Sequence, residues 1–326
     1  MTYKRTDLAV EQTELCREEA QKEAKIEGVS VQEEDRDGIR ITRVTVENEA
    51  GSKALSKPVG TYITLETEHL SYEDKEQYMA MCGALKDELS KLAAVDRSRP
   101  VLVVGLGNRN ITADALGPKT VEQMLVTRHL FEHMPEVVGT DTASVCAIAP
   151  GVLGITGIET MEIVKGVAEH VKPGLIIVID ALAARKVERI NTTIQISDTG
   201  ISPGSGVGNN RKELSRATLG ADVIAIGVPT VVDAVTMAND TLDITLSTIR
   251  AQAGEGAAIL QLLEQLSPQE KYGLLQEALA PTIGDMVLTP KEVDLAMDKI
   301  SKVVANGLNL MLQQGMSLEE IESFAL

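Results

Sequence analysis

The chain has 326 residues, of which 44% are hydrophobic and 24% are charged, and its formal net charge at pH 7 is −17. This length allows one large α/β domain or two smaller ones. The negative charge argues against a protein that binds nucleic acid directly, since such binding needs clustered Lys and Arg side chains. No apolar run approaches the about 18 residues that a membrane helix needs.

The cysteine pattern and the N-terminus bear on where the protein is found. The three cysteines are odd in number and widely spaced, which indicates neither a disulfide framework nor a cysteine zinc site. The first 25 residues are polar and charged, whereas a secretory signal carries an apolar centre of at least about 7 residues. We therefore expect a cytoplasmic protein, and no motif predicts a cofactor or a metal.

The first region, residues 1–97, predicts a β-hairpin flanked by helices. Residues 11–27 are rich in helix formers. Residues 37–51 alternate apolar and polar side chains with a one-residue shift at Arg43, which predicts a bulged strand. A second strand is predicted over residues 60–70, and apolar residues at helical spacing predict a helix over residues 71–95.

The second region, residues 98–250, changes to short apolar runs bounded by Gly, Pro or Asn, alternating with helical patterns. This alternation is typical of a layered α/β sheet. Strands are predicted to start near residues 101, 144, 174, 191 and 221, and helices are predicted over residues 119–134 and 157–171.

The third region, residues 251–326, is almost entirely helical in pattern and is predicted to pack with the core as one compact unit. The expected fold is a three-layer α/β/α arrangement around a mostly parallel or mixed sheet.

A glycine turn follows the first strand of the second region. Gly105, Gly107 and Asn108 lead towards a single acid, Asp114. A dinucleotide-binding loop would need a third glycine where Asn110 stands, and no phosphate-loop motif is present. Two interpretations stay open: the turn presents Asp114 for chemistry, or Asp114 caps the next helix.

A second acid, Asp180, follows an apolar run that predicts a central strand buried on both faces. We expect it at the carboxyl end of that strand, the edge at which ligands bind in open α/β sheets. If the two strands are neighbours, Asp114 and Asp180 share this edge. Two carboxylates within a few Å cannot easily both ionise, so one can act as a base on water and the other as an acid.

Several motifs together give the chain a resemblance to the bacterial spore germination protease family. They span nearly the whole sequence: RTDLAVE (5–11), VGLGNRNITADALGP (104–118), APGVLGITGIET (149–160), VIDALAARK (178–186), ISPGSGVGNNR (201–211), GVPTVVDA (227–234) and VLTPKEVD (287–294). The resemblance implies an atypical aspartic endopeptidase in which Asp114 and Asp180 are the catalytic pair. It also implies a fold similar to the hydrogenase maturation proteases.

The same resemblance implies a homotetramer in the spore core that degrades small acid-soluble spore proteins and is made as a self-processing zymogen. The family's substrate motif is Thr-Glu, the scissile bond, then Phe or Ile, Ala, Ser, Glu. RTDLAVE matches this motif, which places the cut between Asp7 and Leu8 and makes the pro-segment seven residues long. The acid before the cut needs a cationic partner, for which Arg185 and Lys186 are candidates, unless they form a solvated basic turn.

Two alternative functions remain open from the residues. In one, Asp114 and Asp180 recognise a divalent metal on a substrate, as in a maturation-type peptidase of the same fold. In the other, the chain is a non-enzymatic α/β domain whose glycine turn binds a small molecule.

Overall fold

A computed structural model of the chain describes residues 5–19, 25–68, 74–202, 212–253, 266–283 and 286–324. Several predicted features fall partly outside these residues: the first four positions of the pro-segment, the helix-forming stretch 11–27 at residues 20–24, the strand 60–70 and the helix 71–95 at residues 69–73, the motif at 201–211 from residue 203 onward, and residues 254–265, 284–285 and 325–326 of the helical third region.

A mixed β-sheet forms the centre of the molecule. Its strands within the described residues are β1 (Val29–Arg36), β2 (Ile39–Val46), β3 (Gly60–Glu66), β4 (Val101–Gly105), β5 (Val145–Ile148), β6 (Leu175–Ala184), β7 (Thr193–Ser197), β8 (Asp222–Asp233) and β9 (Val287–Leu288). Their order is β1-β2-β3-β7-β8-β6-β4-β5, with β9 beside β8. Strands β5, β4, β6 and β8 run parallel, and the remaining pairs are antiparallel.

Helices cover both faces of this sheet. In the part of the chain that the structure describes, they are α1 (Ala9–Glu19), α2 (Glu49–Leu55), α3 (Lys75–Leu92), α4 (Leu116–Val121), α5 (Arg128–His133), α6 (Leu153–Thr156), α7 (Thr160–Val171), α8 (Arg216–Leu219), α9 (Ala234–Ala253), α10 (Pro268–Ile283), α11 (Val293–Leu312) and α12 (Leu318–Phe324), with 3₁₀ turns at Thr112–Asp114, Pro135–Val137 and Val187–Arg189. Among the described helices, none is long and apolar enough to cross a membrane.

The core is divided between the two faces. On one face, α3, α4 and α11 pack their apolar side chains against the sheet, and Met81, Leu85 and Val304 are fully buried there. On the other face, Val164 and Ala168 of α7 cover β4 and β6. The predicted α/β fold with a mixed central sheet is therefore confirmed. Strands β1 to β3 join the same sheet as β4 to β8, whereas the division into regions at residues 97 and 250 stays a prediction.

The bulge predicted at Arg43 is wrong. Strand β2 pairs with β1 and β3 in continuous register through this residue. The one-residue shift in the apolar pattern arises because both faces of β2 are buried: Ile41 packs in the cluster beneath α3, and Val44 packs in the cluster that includes Ala9 of α1.

The helix predicted over residues 119–134 is two short helices, α4 and α5. The segment between them bonds to other elements instead of continuing the helix. The side chain of Asn309 on α11 accepts a hydrogen bond from the Leu125 N–H (3.0 Å) and donates one to the Gln123 carbonyl (3.1 Å). The Thr127 N–H then donates to the carbonyl of Val145 on β5 (3.0 Å).

Candidate active site

The glycine turn after β4 holds Asp114 in place. The Asn108 N–H donates to the Asp114 carboxylate (Oδ2, 2.8 Å) and to its backbone oxygen (3.0 Å). Gly107 has φ +112°, and a Cβ added to it would lie 2.0 Å from that backbone oxygen. Helix α4 is capped by Ala115, without a side-chain bond. Asp114 therefore belongs to the 3₁₀ turn and does not cap α4, so the helix-cap interpretation is wrong, while its presentation for chemistry stays a prediction.

We expect Gly107→Ala to lower the free energy of unfolding by about 1–3 kcal/mol. Alanine at this position would have to adopt a positive φ, which is unfavourable for a residue with a Cβ. Its methyl group would also overlap the backbone oxygen of Asp114, which cannot move aside as a flexible side chain can. Urea unfolding measures the change. The control is Gly83→Ala in α3, where nothing lies within 4 Å of the added Cβ and stability should rise by up to about 1 kcal/mol. Equal stability of Gly107→Ala and the parent would contradict this account.

Asp180 lies inside β6, with 6% of its surface exposed. The prediction that it ends its strand is wrong, because β8 pairs with β6 as far as Ala184, with a register shift after Leu182. Asp180 is instead the first residue of β6 beyond the end of β4, whose last residue, Gly105, pairs with Ile179. The Asp180 Oδ1 accepts a hydrogen bond from the Ala181 N–H (3.0 Å).

The elements that carry the two acids meet at this edge of the sheet. The 3₁₀ turn Thr112–Asp114 contacts both β6 and β8. The Thr230 hydroxyl of β8 donates a hydrogen bond to the Ala113 carbonyl (2.6 Å) and so ties the turn to the sheet. The turn that carries Asp114 thus lies beside the strand that carries Asp180.

The N-terminal segment is bound to β6 just past Asp180. The Asp7 N–H donates to the Ala183 carbonyl (2.9 Å), and the Ala183 N–H donates to the Asp7 carboxylate (Oδ2, 2.9 Å). Leu8 is fully buried in a cluster that includes Leu182. The peptide bond between Asp7 and Leu8 is therefore held against β6 near Ala183, three residues after Asp180 on the same strand.

Two side chains hold the Asp7 carbonyl oxygen. Lys57 donates from Nζ (2.8 Å), and Gln195 donates from Nε2 (3.2 Å). Gln195 pairs with Gly227, and Gly227 pairs with Asp180. The three residues therefore form one row across β7, β8 and β6. A cavity of about 190 Å³ lies beside Asp7 and is lined in part by Lys57, Gln195 and Gly227.

Comparison with known proteins identifies the family. A sequence model described as germination protease matches residues 5–257 and 250–325. The chain belongs to the germination protease family.

Individual germination proteases are similar over nearly their full length. One from Caldanaerobacter subterraneus subsp. tengcongensis is 50% identical over 317 residues, which cover 97% of this chain and 96% of that protein. One from Clostridium acetobutylicum is 49% identical, with 99% of each chain covered. One from Bacillus cereus is 44% identical, with 94% of this chain and 93% of that protein covered. As a member of this family, the chain is a peptidase and its substrates are proteins.

The two cations predicted to bind the acid before the cut are bonded to other groups. Arg185 pairs with Asp240 (2.9 Å) and Glu18 (3.0 Å), and Lys186 pairs with Glu14 (2.8 Å). Lys57, which the sequence analysis did not single out, donates to the backbone carbonyl of Asp7. A role for Arg185 and Lys186 in substrate binding stays a prediction.

A buried charge cluster fixes α1 beside the candidate site. Glu11 is fully buried, and its carboxylate accepts bonds from the N–H groups of Arg185 (2.7 Å) and Lys186 (3.0 Å) and from the Thr6 hydroxyl. Arg189 pairs with Glu11 (3.3 Å).

Arg189 also binds two further acids, Glu14 (2.7 Å) and Glu66 of β3 (2.6 Å). Burial acts to raise the pKa of Glu14, but bonds from Arg189 and Lys186 outweigh it, and the net effect lowers that pKa below its ordinary value. Glu14 therefore stays ionised at neutral pH, and α1 is held to β3 and to the end of β6 by charge pairs.

Proposed function

We propose that this peptidase degrades small acid-soluble DNA-binding spore proteins during germination, in the spore core, and acts as a homotetramer. We further propose that it is made as a zymogen and removes residues 1–7 by cutting its own bond between Asp7 and Leu8. The family assignment supports the protease activity. The match of RTDLAVE to the substrate motif supports the position of the cut.

One observation carries the proposal: the N-terminal segment is bound to the strand of Asp180 at the bond that the motif predicts. Asp7 makes two hydrogen bonds to Ala183, and Leu8 is buried against the same strand. A protein substrate would bind there in the same way, because the end of β6 beyond β4 offers backbone groups to an added chain.

The proposed mechanism is direct hydrolysis without a covalent intermediate. A water molecule lies between Asp114 and Asp180. One carboxylate takes a proton from this water as it attacks the carbonyl carbon, and the other gives a proton to the leaving amine. The position of the glycine turn against β6 supports this division of roles, since neighbouring carboxylates share a proton readily.

Mass spectrometry of the full chain, incubated at mildly acidic and at neutral pH, tests the proposal. We expect loss of residues 1–7, with Leu8 as the new first residue. We also expect an added peptide, Thr-Glu-Ile-Ala-Ser-Glu, to be cut between Glu and Ile. A peptide with Lys in place of the first Glu is the control and should remain intact. Cuts only at other bonds would contradict the proposed cleavage site, and cleavage abolished by chelators would favour the metal-recognising alternative.

A further inference from the structure

We propose that Lys57 and Gln195 are catalytic residues that bind the carbonyl oxygen of the scissile bond and stabilise the negative charge it acquires during hydrolysis. This inference rests on the proposed function, in which the bond between Asp7 and Leu8 is cut. It adds two hydrogen-bond donors to the aspartate pair, of which the ionised carboxylate would repel a developing oxyanion.

The first observation is that two side-chain donors converge on one oxygen. Lys57 Nζ lies 2.8 Å and Gln195 Nε2 lies 3.2 Å from the Asp7 carbonyl oxygen. Lys57 follows α2, whereas Gln195 belongs to β7. The fold thus aims two N–H donors from separate elements at one carbonyl, which is the geometry of an oxyanion hole.

The second observation is that Gln195 also holds the other side of the bond. Its Oε1 accepts a hydrogen bond from the Ala9 N–H (2.7 Å), while its Nε2 donates to the Asp7 carbonyl. The amide therefore spans Leu8 and fixes the backbone on both sides of the scissile bond. Such positioning lowers the barrier because the carbonyl is held in a single orientation for attack.

The third observation is the distance across the sheet to Asp180. Gln195, Gly227 and Asp180 are directly paired on adjacent strands. Since adjacent strands lie about 4.8 Å apart, the α-carbons of Gln195 and Asp180 are about 10 Å apart. Leu182, two residues past Asp180 on the same face of β6, packs in one cluster with Leu8. The donor Gln195 and the acid Asp180 thus belong to one row of the sheet, and Leu8 packs against the strand that carries the acid.

The charge that forms when water attacks the scissile carbonyl explains why Lys57 and Gln195 would raise kcat. As water adds to the carbonyl carbon, a proton passes to the basic aspartate, and the electron pair of the C=O bond moves onto the oxygen. The oxygen then carries a full negative charge, which Lys57 and Gln195 bind more strongly than the neutral carbonyl. When the C–N bond breaks, the amine takes its proton from the second aspartate and the C=O bond re-forms. Interactions that strengthen only in the transition state raise kcat rather than lower KM.

The environment of Lys57 fits this role. Desolvation lowers the pKa of its ammonium group, and the Asp7 carboxylate partly opposes the change. A cation in a desolvated position gains much more from a new negative charge than a cation in water does. The oxyanion supplies that charge only during the reaction, so the interaction is weak in the ground state and strong in the transition state.

Two single variants, Lys57→Met and Gln195→Met, test the inference in the full chain with the Thr-Glu-Ile-Ala-Ser-Glu peptide. Each should lower kcat by about 10²–10³-fold, the usual effect of removing one oxyanion donor, and leave KM within about threefold. Lys57→Arg should recover part of kcat, because it restores a cationic donor. The matched control is Lys53→Met, which removes an exposed lysine four residues earlier on α2 and should leave kcat unchanged.

The outcomes separate this inference from the proposed function. If the parent chain fails to cut the peptide, the proposed function is wrong. If the parent cuts it and both methionine variants keep kcat within about threefold while their circular dichroism matches the parent, the inference is overturned. A rise in KM at constant kcat would also overturn it, because it would assign the two residues to substrate binding alone. Since Lys57 and Gln195 lie on separate elements, loss of folding in one variant still leaves the other as a test.

Discussion

Asp180→Asn is expected to lower the rate of peptide cleavage by about 10²–10⁴-fold, the range for loss of a general acid or base. It should also stop the removal of residues 1–7. Asparagine has nearly the same shape and can still accept the hydrogen bond from the Ala181 N–H, so the buried site should stay folded. Asp114→Asn should lower the cleavage rate by a similar factor. Its side chain can still accept the hydrogen bond from the Asn108 N–H, so the turn should keep its fold. Initial rates on the peptide and intact-mass spectra of the chain measure both effects.

The control for these variants is Asp222→Asn. Asp222 is an exposed residue that begins β8 and pairs with Leu175, the first residue of β6. It therefore lies on the same strand pair as Asp180 but at the opposite end, and its loss should leave the cleavage rate unchanged. If either Asp114→Asn or Asp180→Asn keeps more than about a tenth of the parent rate, that residue does not activate the water.

Arg189→Met is expected to release α1 from the rest of the molecule at a cost of about 3–5 kcal/mol, the usual penalty for stranding a buried charge. Arg189 binds Glu11, Glu14 and Glu66 together, and Glu11 is fully buried. Undocking α1 returns Glu11 to water, so the penalty should appear as local opening of residues 5–19. Hydrogen exchange followed by mass spectrometry should show faster exchange in α1 and unchanged exchange in β6 and β8.

The matched control is Arg43→Met. Arg43 makes a two-bond pair with Glu88 of α3 (2.7 and 2.8 Å), and Glu88 is also fully buried. This variant should destabilise the contact between β2 and α3 by a similar amount while α1 exchanges as in the parent. Parent-like exchange of α1 in Arg189→Met would show that the apolar contacts of Leu8 and Val10 are enough to hold the segment.

The fold was predictable where one side-chain pattern dominates. The apolar runs of β4, β6 and β8 are buried on both faces, so their sequences predict central strands directly. The pattern misled where two environments alternate within one element, as in β2, whose two faces belong to different clusters. It also misled where distant partners replace local bonds: Asn309 interrupts the helix predicted over residues 119–134, and no local feature of that segment reveals it.

The candidate site was predictable only in part, for a related reason. Asp114 and Asp180 stand out because each follows an apolar run and a strand end in such folds faces a ligand. Lys57 and Gln195 have no comparable signal. Lys57 precedes a proline after a short helix, and its contact with Asp7 spans 50 residues of sequence, while that of Gln195 spans 188. Such contacts come from the order of strands in the sheet, which a single sequence does not display.

The position of the proposed cut relative to α1 has a kinetic consequence. The bond between Asp7 and Leu8 lies just before α1 begins at Ala9, so cleavage there leaves α1 joined to β1 through the chain. The new N-terminal segment, which begins at Leu8, then stays attached to the enzyme and competes with substrate for the site. A short tether holds its ligand at an effective concentration on the order of millimolar. Under the proposed function, a substrate must displace this attached segment before it can bind. Weakening the contacts that hold α1 would therefore lower the apparent KM.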